Sequence, residues 1–320
     1  LNNEDKKFDI DNENSPLKNL LKPNRRIQAW LGAEAENAAT ENPPTFTRNS
    51  VAYLSDGTQV AANVPRFEDG KFGKAVMVEE GTTNACTNGS FEGSLSGWSF
   101  PTGLYERTSV EKYFGSYSLK LTNSIATETA QAWYSVPNPS NYANKTVTVS
   151  VWVKASVSNR AYFSVKEYDG STNKWTDGPY HNGNGQWQRL TKTFTLRSQV
   201  TSIVIQLYVK GGTTVATAYF DGVQFEQKPY ATSFIDGTRA AETLTIPTAG
   251  VLGNEFSFEF YYLPTVDSTK LINFSPLISL SGGPLSAVYV QYGTIRAAWN
   301  NANVINSGVS FVPGDKVFVA

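Results

Sequence analysis

The chain is poor in the residues on which most active-site chemistry depends. It has one histidine, His181, and one cysteine, Cys86, in 320 residues. A lone cysteine excludes an internal disulfide, and the scarcity of both excludes zinc sites built from imidazole and thiolate. Any histidine-based acid–base relay would have to run through His181 alone. Charge is scarce too: Asp, Glu, Lys and Arg make up 17% of the chain, and 27 basic against 28 acidic side chains leave a net charge of −1. That balance offers no basic excess for nucleic acid or an anionic membrane. Apolar runs stay below the ~18 residues of a membrane span. The charged, polar opening residues do not read as a signal peptide. Walker motifs, Gly-rich phosphate loops and zinc-protease helices do not occur. With no basic side chain close by in sequence, Cys86 reads as a small buried hydrophobe.

What is abundant is aromatic and turn-forming. Trp (7), Tyr (16) and Phe (18) stand beside 25 Gly and 15 Pro. This composition disfavours helical bundles and coiled coils and points to an all-β protein whose polar faces are Ser, Thr, Asn and Gln. Period-2 alternation supports this. Val147, Val149, Val151 and Val153 face one way, and Thr148, Ser150 and Trp152 the other. Over 161–168, Phe163 and Val165 oppose Tyr162, Ser164, Lys166 and Tyr168. Over 202–209, Ile203, Ile205, Leu207 and Val209 oppose Val204, Gln206 and Tyr208. Further strands are expected at 45–47, 51–54, 59–62, 117–121, 190–196, 218–225 and 255–262, with shorter ones at 271–274, 276–280, 287–292 and 294–299. Ser55-Asp56-Gly57 marks a hairpin turn, and Asn173–Gln186 reads as a loop carrying an exposed, non-catalytic His181.

These patterns divide the chain. Residues 1–44 form an irregular or partly helical N-terminal arm or linker, broken by Pro16 and Pro23. Residues 45–83 are too few to bury a core alone and are expected to pack with the C-terminal sandwich. Residues 84–231 make one complete β-sandwich, and 232–320 a second, incomplete one. The expected architecture is therefore two β-sandwiches, the first inserted between the two pieces of the second. Two consecutive domains, with the early block packed across both, is the alternative. The abrupt ends suggest a piece of something longer.

Five runs occur in order along 84–231: Thr87-Asn88-Gly89-Ser90-Phe91-Glu92-Gly93 with Gly97-Trp98; Gly115-Ser116-Tyr117-Ser118-Leu119; Val149–Ala155; Gln186–Leu190; and Ala218-Tyr219-Phe220-Asp221-Gly222-Val223. Together they resemble jelly-roll carbohydrate-binding modules of the families numbered four, nine and twenty-two. The flanks, through Asn63-Val64-Pro65-Arg66-Phe67 and Val78–Asn84, resemble phage and prophage tail-associated proteins. Gly70–Val78 and Glu255–Tyr262 are similar to strands of laminin-G/concanavalin-like sandwiches. The resemblance implies a non-catalytic glycan-binding module of a phage-like tail or surface assembly, outside the cell or on a virion. Its partners would be a polysaccharide or cell-envelope glycan, other structural proteins of the assembly and a second copy of itself. The alternatives are a ligand-free structural spacer, or an accessory region of a secreted polysaccharide-degrading enzyme. The acidic residues lack the Glu-x-Asp-x-x-Glu spacing of laminarinase-like sandwiches, which argues against catalysis.

The resemblance also implies a structural calcium where the first and last strands of the module meet. Glu92 and Asp221 would supply carboxylates, and Asn88 and the Lys112–Ser116 backbone the remaining oxygens. For sugar binding, Trp133, Tyr162, Lys166, Tyr168, Trp175, Gln206 and Tyr208 are the candidates, with Gln131, Tyr134 and Tyr180 beside them. Aromatic planes receive the C–H faces of pyranose rings, and amide and ammonium groups receive the hydroxyls. The competing reading is that Tyr and Trp simply fill a pleated surface. Trp98 and Trp187 read as packing residues. Trp152 is assigned either to the concave face or beneath a loop.

Overall fold

The computed structural model describes residues 44–70, 73–245, 260–271, 275–279, 287–299, 303–313, 315 and 317–319. The arm expected over 1–44 lies, except for Pro44, outside the described residues, as do positions 255–259 and 272–274 of two expected strands. The described chain is all-β, with two short 3-10 turns at Pro139–Tyr142 and Ser268–Lys270. Among the described residues no helix is long and apolar enough to cross a membrane.

Six short strands come first: β1 (Thr45–Thr47), β2 (Ala52–Tyr53), β3 (Gln59–Val60), β4 (Arg66–Gly70), β5 (Gly73–Met77) and β6 (Thr82–Thr83). The Ser55-Asp56-Gly57 turn joins β2 to β3 as expected. Asp56 Oδ1 accepts from the Thr58 amide at 2.8 Å. Gly57 sits at φ +88°, and a Cβ there would press on the Tyr113 carbonyl, so only glycine fits.

The central body follows: β7 (Trp98–Thr102), β8 (Leu104–Thr108), β9 (Ser118–Thr122), β10 (Ala130–Ser135), β11 (Thr146–Ala155), β12 (Ala161–Tyr168), β13 (Asn173–Asp177), β14 (Trp187–Thr195), β15 (Ser202–Val209) and β16 (Thr217–Glu226). They form two antiparallel sheets, ordered β13-β12-β15-β10-β7 and β14-β11-β16-β9-β8. The chain passes repeatedly between the sheets, and their inner faces enclose one core. Val147, Val149, Val151 and Val153 meet Phe163, Val165, Ile205, Leu207 and Phe220 there, all buried. Each such side chain contributes roughly 1.5–3 kcal/mol by leaving water. Alternation placed β12 and β15 at 161–168 and 202–209, as found. It missed β7, β8, β10 and β13. Residues 173–177, read as loop, pair with β12 as a polar edge strand.

Two strands then return to the beginning of the chain. β17 (Thr238–Arg239) pairs with β6, and β18 (Thr243–Thr245) with β1. Buried charge fastens this junction. The Glu242 carboxylate accepts from Arg48 at 2.9 Å and from Arg66 at 2.7 and 2.9 Å, with all three side chains fully buried. Arg66 also reaches Glu79 at 2.7 Å, and Arg239 lies 3.4 Å from it. Burial pushes the Glu79 carboxyl upward, but Arg239 and Arg66 outweigh it and hold the group below its ordinary value. Isolated ions would be untenable here; the mutual pairing is what permits their burial.

The same flanking segments cover the outer face of the second sheet. Glu226 accepts from Thr82 and Thr232, each at 2.8 Å, and Gln224 accepts from the Ile235 amide at 2.9 Å. The Tyr53 ring packs on Phe114 and Phe234. Among the described residues no such cover lies on the outer face of the first sheet, and the candidate site lies there.

The remaining strands are β19 (Phe260–Tyr262), β20 (Ser275–Ser279), β21 (Ala287–Gln291), β22 (Thr294–Trp299), β23 (Asn303–Asn306) and β24 (Val317–Val319). β20 to β23 form one meander and β19 pairs with β24. Val290, Ile295 and Phe311 supply a small core.

Candidate functional site

Cross-strand partners share a face of a sheet, so register alone assembles the site. On the outer face of the first sheet, Asp177, Ser164, Gln206, Trp133 and Ser99 form a row across five strands. A second row beside it runs Tyr162, Tyr208, Gln131. On the other side lie Trp175, Lys166 and Val204, and beyond them Asn173, Tyr168 and Ser202. The central row is low: Ser164 and Gln206 are buried, whereas Tyr162, Tyr208 and Lys166 are half-buried and Trp175 is 54% exposed. The result is a trough across the strands, with a tyrosine wall on one side and a Lys/Trp wall on the other.

All seven sugar-contact candidates lie on this one face. The Tyr162 and Tyr208 rings stack at 4.9 Å and 14°, and Tyr180 reaches in from the following loop, its ring 4.5 Å from Tyr162. Burial, with the nearby Tyr180, Tyr208 and Asp177, raises the Tyr162 hydroxyl well above its ordinary pKa. Burial and Asp177 push Tyr208 up to about 12. Both therefore stay neutral, and able to donate, at any physiological pH. Trp133 donates its indole N–H to Gln131 at 3.0 Å, and Lys166 Nζ lies 5.9 Å from the Trp133 ring centre. Tyr168 is more peripheral and donates to the Gly170 carbonyl at 2.7 Å.

Gln206 is unusual among these residues. It is 2% exposed, and its Oε1 has no hydrogen-bond partner. Buried polar atoms normally pair, and this one is left without a partner just beneath the trough. Asp177 went unnamed among the sugar contacts: the sequence shows the residue, but not the register that sets it opposite Ser164.

Tyr134 and His181 depart from expectation, whereas Trp98 and Cys86 pack as expected and Trp152 takes the second of its two readings. Tyr134 lies in the core, its hydroxyl 3.1 Å from the Thr87 amide and 2.9 Å from the Thr87 hydroxyl. Odd and even residues of β10 face opposite ways, and Tyr134 is on the inner side. His181 is buried rather than exposed. Its Nδ1 accepts from the Gly183 amide at 2.9 Å, so Nε2 carries the proton and donates to the Gln186 carbonyl at 2.8 Å. The ring closes the 181–186 loop from within and, among the described residues, has no acid–base partner. Trp152 lies beneath a loop, stacked on Tyr113 at 3.8 Å, and Trp98 is in the core. Cys86 is buried, and burial pushes its thiol pKa well up.

Glu92 and Asp221 meet at a second locus, on the loop before β9. Asp221 Oδ2 accepts from the Tyr113 and Phe114 amides at 2.8 and 2.9 Å, and Oδ1 from Gly222 at 2.7 Å. Glu92 Oε1 accepts from Ser116 and Tyr117, each at 2.8 Å. Gly115, at φ +58°, leaves room for the Glu92 carboxylate, where a Cβ would lie 2.5 Å from it. Desolvation raises the Asp221 pKa to about 8 against those amide bonds, and the Glu92 charge adds to the rise. The Asn88 side chain donates instead to the Ser94 and Ser96 carbonyls, and its amide to Asp236. Among the described residues no three His, Cys, Asp or Glu side chains cluster to hold a metal. A separate open pocket, lined by Thr82, Tyr142, Lys228 and Arg239 among others, lies beside β6 and β17 and contains none of the candidates.

Residues 83–217 match a carbohydrate binding domain. That stretch includes the whole trough and all but the last strand of the central body, which has the jelly-roll fold of such modules. No curated protein matches the chain. Similar solved structures include a family 22 xylan-binding domain from Paenibacillus barcinonensis (18% identity, 49% of this chain and 100% of that one, TM-score 0.37). Another is the C-terminal family 22 module of a Clostridium thermocellum protein (19%, 44% and 94%, TM-score 0.37). A third is the enzymatically active domain of bacteriophage CBA120 tailspike protein 4 (13%, 45% and 21%, TM-score 0.35).

Proposed function

We propose that the chain is a non-catalytic carbohydrate-binding protein that works outside the cell as an accessory region of a polysaccharide-degrading system. The observation that carries this reading is the trough. Stacked tyrosines, two tryptophans and an unpaired buried amide oxygen converge on a face, left open by the described residues, of a domain matched as carbohydrate-binding. Tyr162, Tyr208, Trp133 and Trp175 offer planes to sugar rings, and Gln206, Gln131, Lys166 and Asp177 offer polar contacts to their substituents. Tyr168 borders the far end. The family match supports an accessory role over the phage-tail assembly suggested by the flanking runs.

Glu92 and Asp221 would hold a structural calcium. The donor chemistry fits: Glu92 Oε2 and one lone pair of Asp221 Oδ1 are left over by the amide bonds above, and hard oxygens are what calcium takes. A bound ion would tie the loop before β9 to β16. The 45–83 and 238–245 segments belong together in this reading, as one cap on the back sheet. The test is a glycan array on the 320-residue protein, with and without chelator. Binding to a plant or cell-envelope polysaccharide supports the reading. No binding to any glycan at millimolar sensitivity overturns it.

A further inference from the structure

The trough is polarised. The strands that form it present only two charged side chains on this face, Lys166 on β12 and Asp177 on β13. Among the described residues neither takes part in an ion pair, whereas Glu167 and Lys174, on the opposite side of the same two strands, pair at 3.0 Å. They are diagonal neighbours across β12 and β13, but the Lys166 ammonium reaches away from β13, to 5.9 Å from the Trp133 ring centre. Asp177 lies at the β13 end of the central row, near enough to the tyrosine wall for its charge to raise both Tyr162 and Tyr208. Lys166 belongs with the tryptophans: Trp175 is its cross-strand neighbour, and its ammonium lies over the edge of Trp133. Half-burial against an indole removes part of the water around that ammonium without supplying an anion. A charge so placed gains more from an incoming carboxylate than a fully solvated lysine would. Gln206, with its unpaired Oε1, lies in the central row in line with Asp177, one row from Lys166 on one side and from Tyr208 on the other.

We propose that the trough selects glycans bearing a uronic acid, with the sugar carboxylate seated on Lys166 between Trp133 and Trp175. An adjoining uncharged ring then stacks on Tyr162 and Tyr208, away from the repulsion an acid would meet at Asp177. Lys166 to Tyr162 is four residues along β12, about 13 Å at the rise of a strand, which separates the acidic and neutral ends by more than one sugar ring. The preferred chain is therefore one in which acidic residues are interspersed with neutral ones rather than continuous. This inference rests on the glycan-binding reading above and adds the charge of the ligand.

The test uses isothermal titration of the 320-residue protein with glucuronoxylan and hyaluronan oligosaccharides, the same samples after chemical reduction of their carboxyls to alcohols, and neutral xylan, mannan and mixed-linkage glucan oligosaccharides. The expected result is that at least one acidic glycan binds about tenfold more tightly than its reduced counterpart. That preference should shrink as salt rises from roughly 50 to 500 mM. Lys166→Met should abolish it and Lys166→Arg should keep it, the readout being the ratio of acidic to carboxyl-reduced affinity within each variant. If the reduced and neutral glycans bind as well as the acidic ones, or if the preference survives Lys166→Met, the inference is overturned and the glycan-binding reading stands. If no acidic or neutral glycan binds, both are overturned.

Discussion

Tyr162 and Tyr208 stack on neighbouring strands, their ring centres 4.9 Å apart and their planes within 14°. The pair makes one broad ledge, and its outward side is the part of the trough best suited to a pyranose face. Truncating either ring should weaken glycan binding roughly tenfold while leaving the fold intact. Titration calorimetry of Tyr162→Ala and Tyr208→Ala, with melting curves alongside, checks this. A large fall in Tm with unchanged affinity would make the pair a packing feature only.

Gln206 gives a different kind of test. Its buried, unpaired Oε1 costs stability in the free protein, and a bound hydroxyl would satisfy it. Gln206→Met should raise stability by up to about 1 kcal/mol and weaken glycan binding. Urea unfolding and calorimetry on one protein batch measure both. A variant that is less stable, with unaltered binding, would show the amide to be structural.

The Glu92–Asp221 locus predicts a response to chelation. Adding EDTA should lower Tm by roughly 5–10 °C, and excess calcium should restore it. Glu92→Gln should lower Tm in buffer and remove the calcium response. A Tm indifferent to EDTA and calcium alike would assign both carboxylates to loop anchoring alone.

The junction network makes the sharpest stability prediction. Replacing Glu242 leaves Arg48 and Arg66 buried without their shared carboxylate. Glu242→Gln should cost about 3–5 kcal/mol. Limited proteolysis should then cut within 45–83 before it cuts the central sheets. Loss of the whole fold in one step would instead show that the cap and the sandwich unfold together.

Asp169 reports on pH. The Thr172 and Ser171 amides, the Thr172 hydroxyl and then Arg197 hold its pKa at about 2. A carboxyl depressed in the folded state contributes stability above its unfolded pKa and loses it as pH falls through the folded value. The 169–172 turn should therefore stay intact at pH 5 and loosen between about pH 4 and pH 2. NMR titration of the Asp169 carboxyl should give a midpoint near 2, and a midpoint near 4 would contradict the geometry.

Alternation carried much of the fold. Where one face of a strand is packed and the other is wet, as in β12 and β15, the sequence writes the strand in period 2. It fails at β7, which contains Pro101, and at the edge strand β13, whose residues are polar or exposed on both faces. Tyr162, Lys166, Tyr168, Gln206 and Tyr208 could be set on one face because they alternate along the readable strands β12 and β15, whereas Trp133 and Trp175 lie on β10 and β13, which the pattern missed. The geometry of the site was not legible, since bringing Trp133 beside Gln206 needs the register of β10. His181 was misjudged for a similar reason: a loop full of Gly and Asn gives no sign that an imidazole closes it from within. The buried arginines were illegible altogether, because Arg48 and Arg66 lie 194 and 176 positions from Glu242 and Arg239 pairs with the similarly remote Glu79, and only the folded chain makes their burial tolerable.

The ribbon of β6 and β17 brings the entry to the central body beside its exit, Thr83 opposite Thr238. Tension applied along the polypeptide would pass across this ribbon and the ion pairs next to it, leaving the sandwich as a side branch outside the line of pull. On the proposed glycan-binding reading, a module tethered in this way would keep its grip while the chain on either side is pulled. The mechanical weak point is then the Arg–Glu junction rather than the two central sheets.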